Sequence, residues 1–139
     1  MPIPTKVILA NKSFFKHFRW AILWMLMVAV LMSLPGSSLS KYNWIDRLML
    51  DKIAHFAAYA LMAVLLYLAY HQFKKRSKLS FRIFVLVFLI VAIYSSLLEI
   101  FQGLYVPNRT FDRWDLTVNL LGDAFGWFTL VCLKNFYHL

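Results

Sequence analysis

Residues 84–98 read FVLVFLIVAIYSSLL, a stretch without a single charged side chain. It lies within an apolar run from Phe81 to Gly103, about the 20 residues that an α-helix needs to cross the hydrocarbon core of a bilayer. Because lipid offers the backbone no hydrogen-bond partners, a single segment in that environment must be helical. The stretch therefore predicts a transmembrane helix.

Three further apolar runs have a similar length. Their centres are WAILWMLMVAVLMSL (20–34), AHFAAYALMAVLLYLAY (54–70) and LTVNLLGDAFGWFTLVCL (116–133). The first follows basic residues, as in a signal peptide, but it exceeds the roughly 7–15 apolar residues of such a peptide. We therefore predict an all-α fold, a single integral membrane four-helix bundle over residues 1–139, with spans at about 14–34, 51–73, 81–103 and 115–135.

The composition supports this class of protein. Hydrophobic residues make up 62% of the chain and charged residues 15%, against roughly 45–50% and about 25% in soluble domains. The one cysteine, Cys132, excludes an internal disulfide framework. The net charge of +9 comes from basic residues that flank apolar runs, so we expect membrane lipids as partners and no nucleic acid.

Charge distribution predicts the orientation of the bundle. Ten basic and no acidic residues precede the first span, join the second span to the third, or follow the fourth. The opposite face mixes five basic with five acidic residues. The positive-inside rule therefore predicts that both termini are cytoplasmic.

The acidic residues concentrate on the predicted outer face, although topology does not require them there. Residues three or four apart share a face of a helix. By that spacing three spans carry polar stripes, which are Asp51, His55 and Tyr59; Ser95, Glu99 and Gln102; and Asp115, Asn119, Gly122, Asp123 and Gly126. Because ionisable groups avoid lipid, we expect these stripes to face one another. The two glycines suit close helix packing within the bundle or in a homodimer.

These positions also carry a family resemblance. The segments DKIAHFAAYALMAVLL (51–66) and LLEIFQGLYVPNRTFDRWDLTVNLLGDAFG (97–126) resemble the VanZ-like family of bacterial membrane proteins. The matching positions are Asp51, Lys52, His55, Phe56, Glu99, Gln102, Arg109, Asp112, Asp115, Asn119 and Gly122. The resemblance implies a multi-pass protein of the bacterial cytoplasmic membrane. It also implies a link to low-level resistance to teicoplanin, a lipoglycopeptide, because the family's name-giving member has that link.

We predict that seven of these side chains bind a ligand, namely Asp51, Lys52, Gln102, Arg109, Asp112, Asp115 and Asn119. Arg109 suits either a phosphate or carboxylate clamp or a salt bridge to Asp112 or Asp115, and one of these acids is expected to cap the fourth helix. Lys52 is expected to extend to the lipid head groups.

His55 and Glu99 form a candidate acid/base pair, because burial tunes such groups for proton transfer. A metal ion would recruit His55, Glu99 and one Asp. With no second His or Cys nearby, we expect no metal and no cofactor. For Asp123, the alternatives are a protonated carboxyl or a hydrogen bond to Ser95 or Ser96.

The leading hypothesis is an outward-facing polar pocket that engages a lipid head group, a lipid-linked cell-wall precursor or a lipoglycopeptide. One alternative is an enzyme that uses Glu99 and His55 on a lipid-linked substrate. A second is a structural or accessory membrane protein whose polar residues only join the helices. A transporter ranks last, because polar residues become scarce toward the cytoplasmic half.

Overall fold

The computed structural model describes residues 5–34, 44–74, 80–107 and 109–137, with side chains described within 13–34, 49–74, 80–107 and 109–133. Across these ranges the chain forms helices and no strand. The helices are α1 (Thr5–Met32), α2 (Trp44–Phe73), α3 (Phe81–Tyr105) and α4 (Arg113–Tyr137). The predicted all-α class is confirmed.

Each helix contains a segment long and apolar enough to cross a membrane. These segments are Ser13–Met32, Met49–Phe73, Phe81–Tyr105 and Arg113–Leu133. Helices α1 and α2 begin earlier than the predicted spans, because hydropathy marks only the lipid-compatible part of a helix that continues beyond it. Helix α3 ends at Tyr105, where Val106 adopts an extended backbone immediately before Pro107.

Consecutive helices run antiparallel around α2, which packs against the other three. At one end of the bundle the rings of Phe14 on α1 and Phe73 on α2 lie 5.9 Å apart. At the other end Lys52, near the start of the α2 span, reaches Asp115, near the start of α4. We call this second end the polar end.

The surface and interior of the bundle reverse the pattern of a soluble protein. Among the side chains that the structure describes, seven polar or charged ones are buried in the interior, namely His55, Ser95, Glu99, Gln102, Asp115, Asn119 and Asp123. Large apolar side chains cover the outside, including Leu26, Leu89, Ile93, Leu97, Leu121 and Phe128. Water would penalise so much exposed apolar surface, whereas lipid does not. The structure thus supports a multi-pass membrane protein.

The α2–α4 interface is the most extensive helix contact, and two glycines make it close. A Cβ added at Gly122 would overlap the backbone carbonyl oxygen of Phe56, and one at Gly126 would overlap that of Ala60. Small residues allow this approach of helix backbones. The predicted glycine stripe is therefore engaged within a single chain.

Helix α1 is joined to its neighbours by side chains that bond backbone carbonyls. The Trp24 indole donates to the Ala58 carbonyl at 2.9 Å, and the Tyr94 hydroxyl donates to the Met25 carbonyl at 2.5 Å. These bonds satisfy polar side-chain atoms within the segments that are apolar enough to span a membrane. They hold α1 against both α2 and α3.

Candidate functional site

Eight polar side chains meet at the polar end, where α2 and α4 start and α3 finishes. We call them the polar cluster, defined as Asp51, Lys52, His55, Glu99, Arg109, Asp112, Asp115 and Asn119. All eight were predicted site residues, so the expectation that the stripes converge is met. Gln102 lies outside the cluster.

His55 occupies the centre of the polar cluster and is 1% exposed. Its Nδ1 lies 2.9 Å from the Asn119 Oδ1, which can only accept a hydrogen bond. The ring therefore donates through Nδ1, and Asn119 fixes its orientation. The other nitrogen, Nε2, is buried without a hydrogen-bond partner and lies 3.9 Å from the Asp51 Oδ1.

Glu99 lies beside the Nδ1 edge of His55. Its Oε1 is 3.8 Å from Nδ1, which is beyond hydrogen-bond distance, and its Oε2 is buried without a partner. Both residues are at most 2% exposed. The predicted acid/base pair is thus adjacent but not directly bonded.

Lys52 pairs with the two acids at the start of α4. Its Nζ lies 2.7 Å from the Asp115 Oδ1 and 3.4 Å from the Asp112 Oδ2. The expectation that Lys52 extends to lipid head groups is therefore wrong. The Lys52 ammonium pairs with the buried Asp115 carboxylate and not with lipid head groups, because Asp115 would otherwise lack a counter-charge.

Asp112 also fulfils the predicted capping role. Its Oδ1 accepts a 2.8 Å hydrogen bond from the Trp114 amide, one of the free N–H groups in the first turn of α4. Capping places this carboxylate at the helix N-terminus, where the helix dipole favours negative charge. Asp112 is thus a structural element of the polar end whatever else it binds.

Arg109 contacts α2 and not the acids that follow it in sequence. Its Nη1 lies 3.4 and 3.5 Å from the two Asp51 oxygens, and its Nε is buried without a partner. The expected salt bridge to Asp112 or Asp115 is corrected accordingly, since Lys52 already holds both acids. Arg109 therefore retains unused donors.

Gln102 makes a contact within the bundle that was not predicted. Its Nε2 donates a 2.7 Å hydrogen bond to the Met32 carbonyl, a buried link between α3 and the end of α1. Spacing placed Gln102 on the same face as Glu99, but the closeness of α1 to that face is a tertiary feature. The structure therefore gives Gln102 a bundle contact.

Asp123 is 1% exposed, and neither carboxyl oxygen has a hydrogen-bond partner. The suggested bond to Ser95 or Ser96 is wrong, because both serine hydroxyls donate to the Ala92 carbonyl of their own helix. Serine hydroxyls in membrane helices commonly donate a hydrogen bond to a backbone carbonyl of their own helix in this way. Asp123 lies deeper in the bundle than the polar cluster.

An apolar cleft opens between α1 and α2 directly beside the polar cluster. It encloses about 360 Å³, and Asp51 and Arg109 line it together with apolar side chains. The apolar walls include Trp24, Val28, Leu31, Ala57 and Leu61. No pattern in the sequence indicates this cleft, because apolar residues that line a groove resemble those that face lipid. Its combination of charged and apolar walls suits an amphiphile.

The residues compatible with a metal ion differ from the set suggested by spacing. One carboxylate oxygen each from Asp51 and Asp115 and one ring nitrogen of His55 lie within 4.8 Å of one another. Glu99 approaches the imidazole edge that Asn119 already occupies. The carboxylates of Asp51 and Asp115 thus replace Glu99 in the candidate ligand set.

Comparison with known proteins agrees with the motif. Neither the curated proteins nor the solved structures contain a match to the chain. A family model described as VanZ/LLP1 matches residues 9–134, nearly the entire chain and including the first span. The predicted resemblance is confirmed, and this membrane protein belongs to the VanZ/LLP1 family.

Proposed function

We propose that the protein binds an amphiphile at the outer leaflet of the bacterial cytoplasmic membrane. The polar part of the ligand would lie at the polar cluster, and an acyl or isoprenoid chain would lie in the α1–α2 cleft. Candidates are a phospholipid, a lipid-linked cell-wall precursor and a lipoglycopeptide of the teicoplanin type. The observation that carries the proposal is the apolar cleft lined by Asp51 and Arg109.

Arg109 supplies the head-group contact in this proposal. Its side chain is 17% exposed, so it can be reached from the cleft, and its Nε has no partner. The distances of 3.4 and 3.5 Å to Asp51 show a loose ion pair, which a bidentate phosphate or carboxylate would replace or share. A guanidinium is suited to this, because its donors form a planar fork.

Charge supports an outward-facing cluster. Exposed basic side chains mark the opposite end of the bundle, at Lys16, Arg19, Lys74 and Arg82. The positive-inside rule would put that end in the cytoplasm and the polar end at the outer surface. A ligand that partitions into the outer leaflet would then enter the cleft laterally, without crossing the membrane.

A susceptibility assay tests the proposal in cells. A teicoplanin-sensitive Gram-positive host would express the wild type, Arg109→Gln or the matched variant Arg113→Gln, which removes one exposed arginine from the start of α4. Equal membrane abundance would be verified by immunoblot. We expect protection by the wild type and Arg113→Gln but not by Arg109→Gln. Equal protection by all three would contradict the role of Arg109, and protection by none would remove lipoglycopeptides from the ligand class.

A second function, proton-transfer catalysis on a lipid-linked substrate, is favoured by one observation. The His55 ring and the Glu99 carboxyl lie 3.8 Å apart in a buried site, close enough for a proton to pass through one bound group. In that case Glu99→Gln abolishes turnover of an added lipid-linked substrate while binding survives. If Glu99→Gln loses turnover, binding and stability together, the polar cluster only joins the helices.

A further inference from the structure

The Nε2 of His55 is one of the polar cluster's buried atoms that lack a hydrogen-bond partner. It is buried on a residue that is 1% exposed and has no hydrogen-bond partner. Because Nδ1 donates to Asn119, the neutral ring presents a lone pair at Nε2. A carboxylate lies close to that nitrogen, since the Asp51 Oδ1 is 3.9 Å away. A cation bound to both electron-rich atoms would stabilise this arrangement.

A second carboxylate completes the arrangement. Oxygens of Asp51 and Asp115 and a nitrogen of His55 lie within 4.8 Å of one another. Lys52 bonds Asp115 through Oδ1, which leaves Oδ2 as a further ligand atom. Asp51 is held only loosely by Arg109, at 3.4 Å. Both acids therefore have oxygens available for a metal.

Carboxyl groups also outnumber basic groups in the polar cluster. Asp51, Glu99, Asp112 and Asp115 face only two permanently basic side chains, Lys52 and Arg109. Glu99 and Asp115 are buried, and an excess of carboxylates in such a site is costly unless a positive charge or protonation offsets it. A divalent cation beside His55 would supply that charge.

We propose that Asp51, His55 and Asp115 bind a divalent metal ion, with the Nε2 of His55 as the ring ligand. One imidazole and two carboxylates suit Zn²⁺ or Mn²⁺ better than Ca²⁺ or Mg²⁺, which prefer oxygen ligands alone. Asn119 orients the metal-binding ring, because its bond to Nδ1 fixes the tautomer that exposes Nε2. No metal was predicted from the sequence, because no second His or Cys lies near His55.

The ligand atoms lie close to the separations that one ion requires. Two ligands of one Zn²⁺ ion at ~2.1 Å each lie at most about 4.2 Å apart. The Nε2 of His55 and the Oδ1 of Asp51 are 3.9 Å apart, and the whole group lies within 4.8 Å. Rotation of a carboxylate about its side-chain torsions covers any remaining difference. Lys52 and Arg109 compete for the same carboxylates, so they stabilise the acids when no metal is bound. The metal site stands on this geometry alone and does not depend on amphiphile binding.

The test uses the full-length protein purified in detergent, stripped with a chelator and dialysed against ZnCl₂ or MnCl₂. Bound metal per chain is measured by inductively coupled plasma mass spectrometry, and affinity by isothermal titration calorimetry. The main variant is His55→Asn, whose amide can replace the Nδ1 donor to Asn119 but has no atom at the position of Nε2. The matched control is His71→Asn on the same helix at the opposite end. Far-UV circular dichroism and gel filtration verify the fold of each.

We expect about one ion per chain in the wild type and His71→Asn, and loss of that ion in His55→Asn. Asn119→Ala lowers the affinity for the metal by about 10–100-fold, as the loss of a residue that orients a metal ligand does. Lys52→Met binds the metal more tightly than the wild type, because it removes a competing cation from Asp115. A purely structural His55 would not produce that gain. Absence of bound metal in the wild type, or equal retention by folded His55→Asn, would overturn the proposal.

Discussion

Replacing Gly122 by alanine adds one methyl group where α4 packs directly on the backbone of α2. The new carbon would overlap the Phe56 carbonyl oxygen and lie 3.1 Å from the Phe56 carbonyl carbon and Cα. At Gly126 it would overlap the Ala60 carbonyl oxygen and lie 3.1 Å from the Ala63 Cβ. A backbone cannot yield as a flexible side chain does, so the two helices must separate.

The size of the effect follows from these contacts. Ordinary carbon contacts lie at about 3.5–4.0 Å, so each substitution forces a separation of at least about 0.5 Å. Overpacking of this kind costs about 1–3 kcal/mol. The same displacement moves α4 away from α2 within one turn of the His55–Asn119 bond and two turns of the Lys52–Asp115 pair. Gly122→Ala should therefore weaken ligand and metal binding as well as stability.

The assay is SDS-induced unfolding in mixed micelles, followed by far-UV circular dichroism. Leu121→Ala is the matched control, because Leu121 is 57% exposed on the same helix. Gly103→Ala provides an intermediate case, since its added carbon would lie 3.0 Å from the amide nitrogen of Phe111, in a connector that shifts more readily. We expect Gly122→Ala and Gly126→Ala to lose the most stability. If Gly122→Ala unfolds at the same SDS fraction as Leu121→Ala, the close α2–α4 packing is refuted.

Three further predictions use the same unfolding assay. Gln102→Leu removes the buried bond to the Met32 carbonyl and lowers the free energy of unfolding by about 1–3 kcal/mol, and an unchanged value would show that α1 is held by other contacts. Asp112→Ala removes the cap that accepts from the Trp114 amide and costs about 0.5–2 kcal/mol, whereas Asp112→Asn retains most of it. Asp123→Asn leaves stability unchanged or raises it, because it removes a buried carboxyl whose oxygens have no partner. A loss above about 1 kcal/mol in Asp123→Asn would reveal a hydrogen bond that Asp123 makes.

Hydropathy was sufficient to predict the number of helices and the location of the spans. It could not predict where α1 and α2 begin, because a helix that leaves the hydrocarbon core no longer needs apolar residues. The start of α2 at Trp44 instead of Asp51 shows this difference. The end of α3 was better defined, since Pro107 restricts the residue before it.

The membership of the polar cluster was predictable, but its pairing was not. Helical spacing relates residues within one helix, so it correctly put Asp51 and His55 on one face. Which acid each base meets depends on helix rotation and separation. For that reason a salt bridge from Arg109 to Asp112 or Asp115 was one of the two alternatives, whereas Lys52 binds both acids and leaves Asp51 to Arg109.

Two further features could not be predicted, because they too depend on how the helices pack against one another. Gln102 lies on the same face as Glu99 but meets α1, and no local signal in the sequence indicates that contact. The α1–α2 cleft is lined largely by Trp24, Val28, Leu31 and other apolar residues whose pattern matches that of a lipid-facing surface. Tertiary packing alone distinguishes a groove from such a surface.

The central claim, that the polar cluster and the cleft form one amphiphile site, is tested most directly by native mass spectrometry of the protein released from detergent. The probes are phosphatidylglycerol, phosphatidylethanolamine and a lysophospholipid, titrated into wild type, Arg109→Gln and Arg113→Gln. We expect one tightly retained lipid per chain in the wild type and Arg113→Gln, and its loss in Arg109→Gln. If the wild type retains no lipid, or if all three proteins retain it equally, the polar cluster and the cleft do not form one amphiphile site.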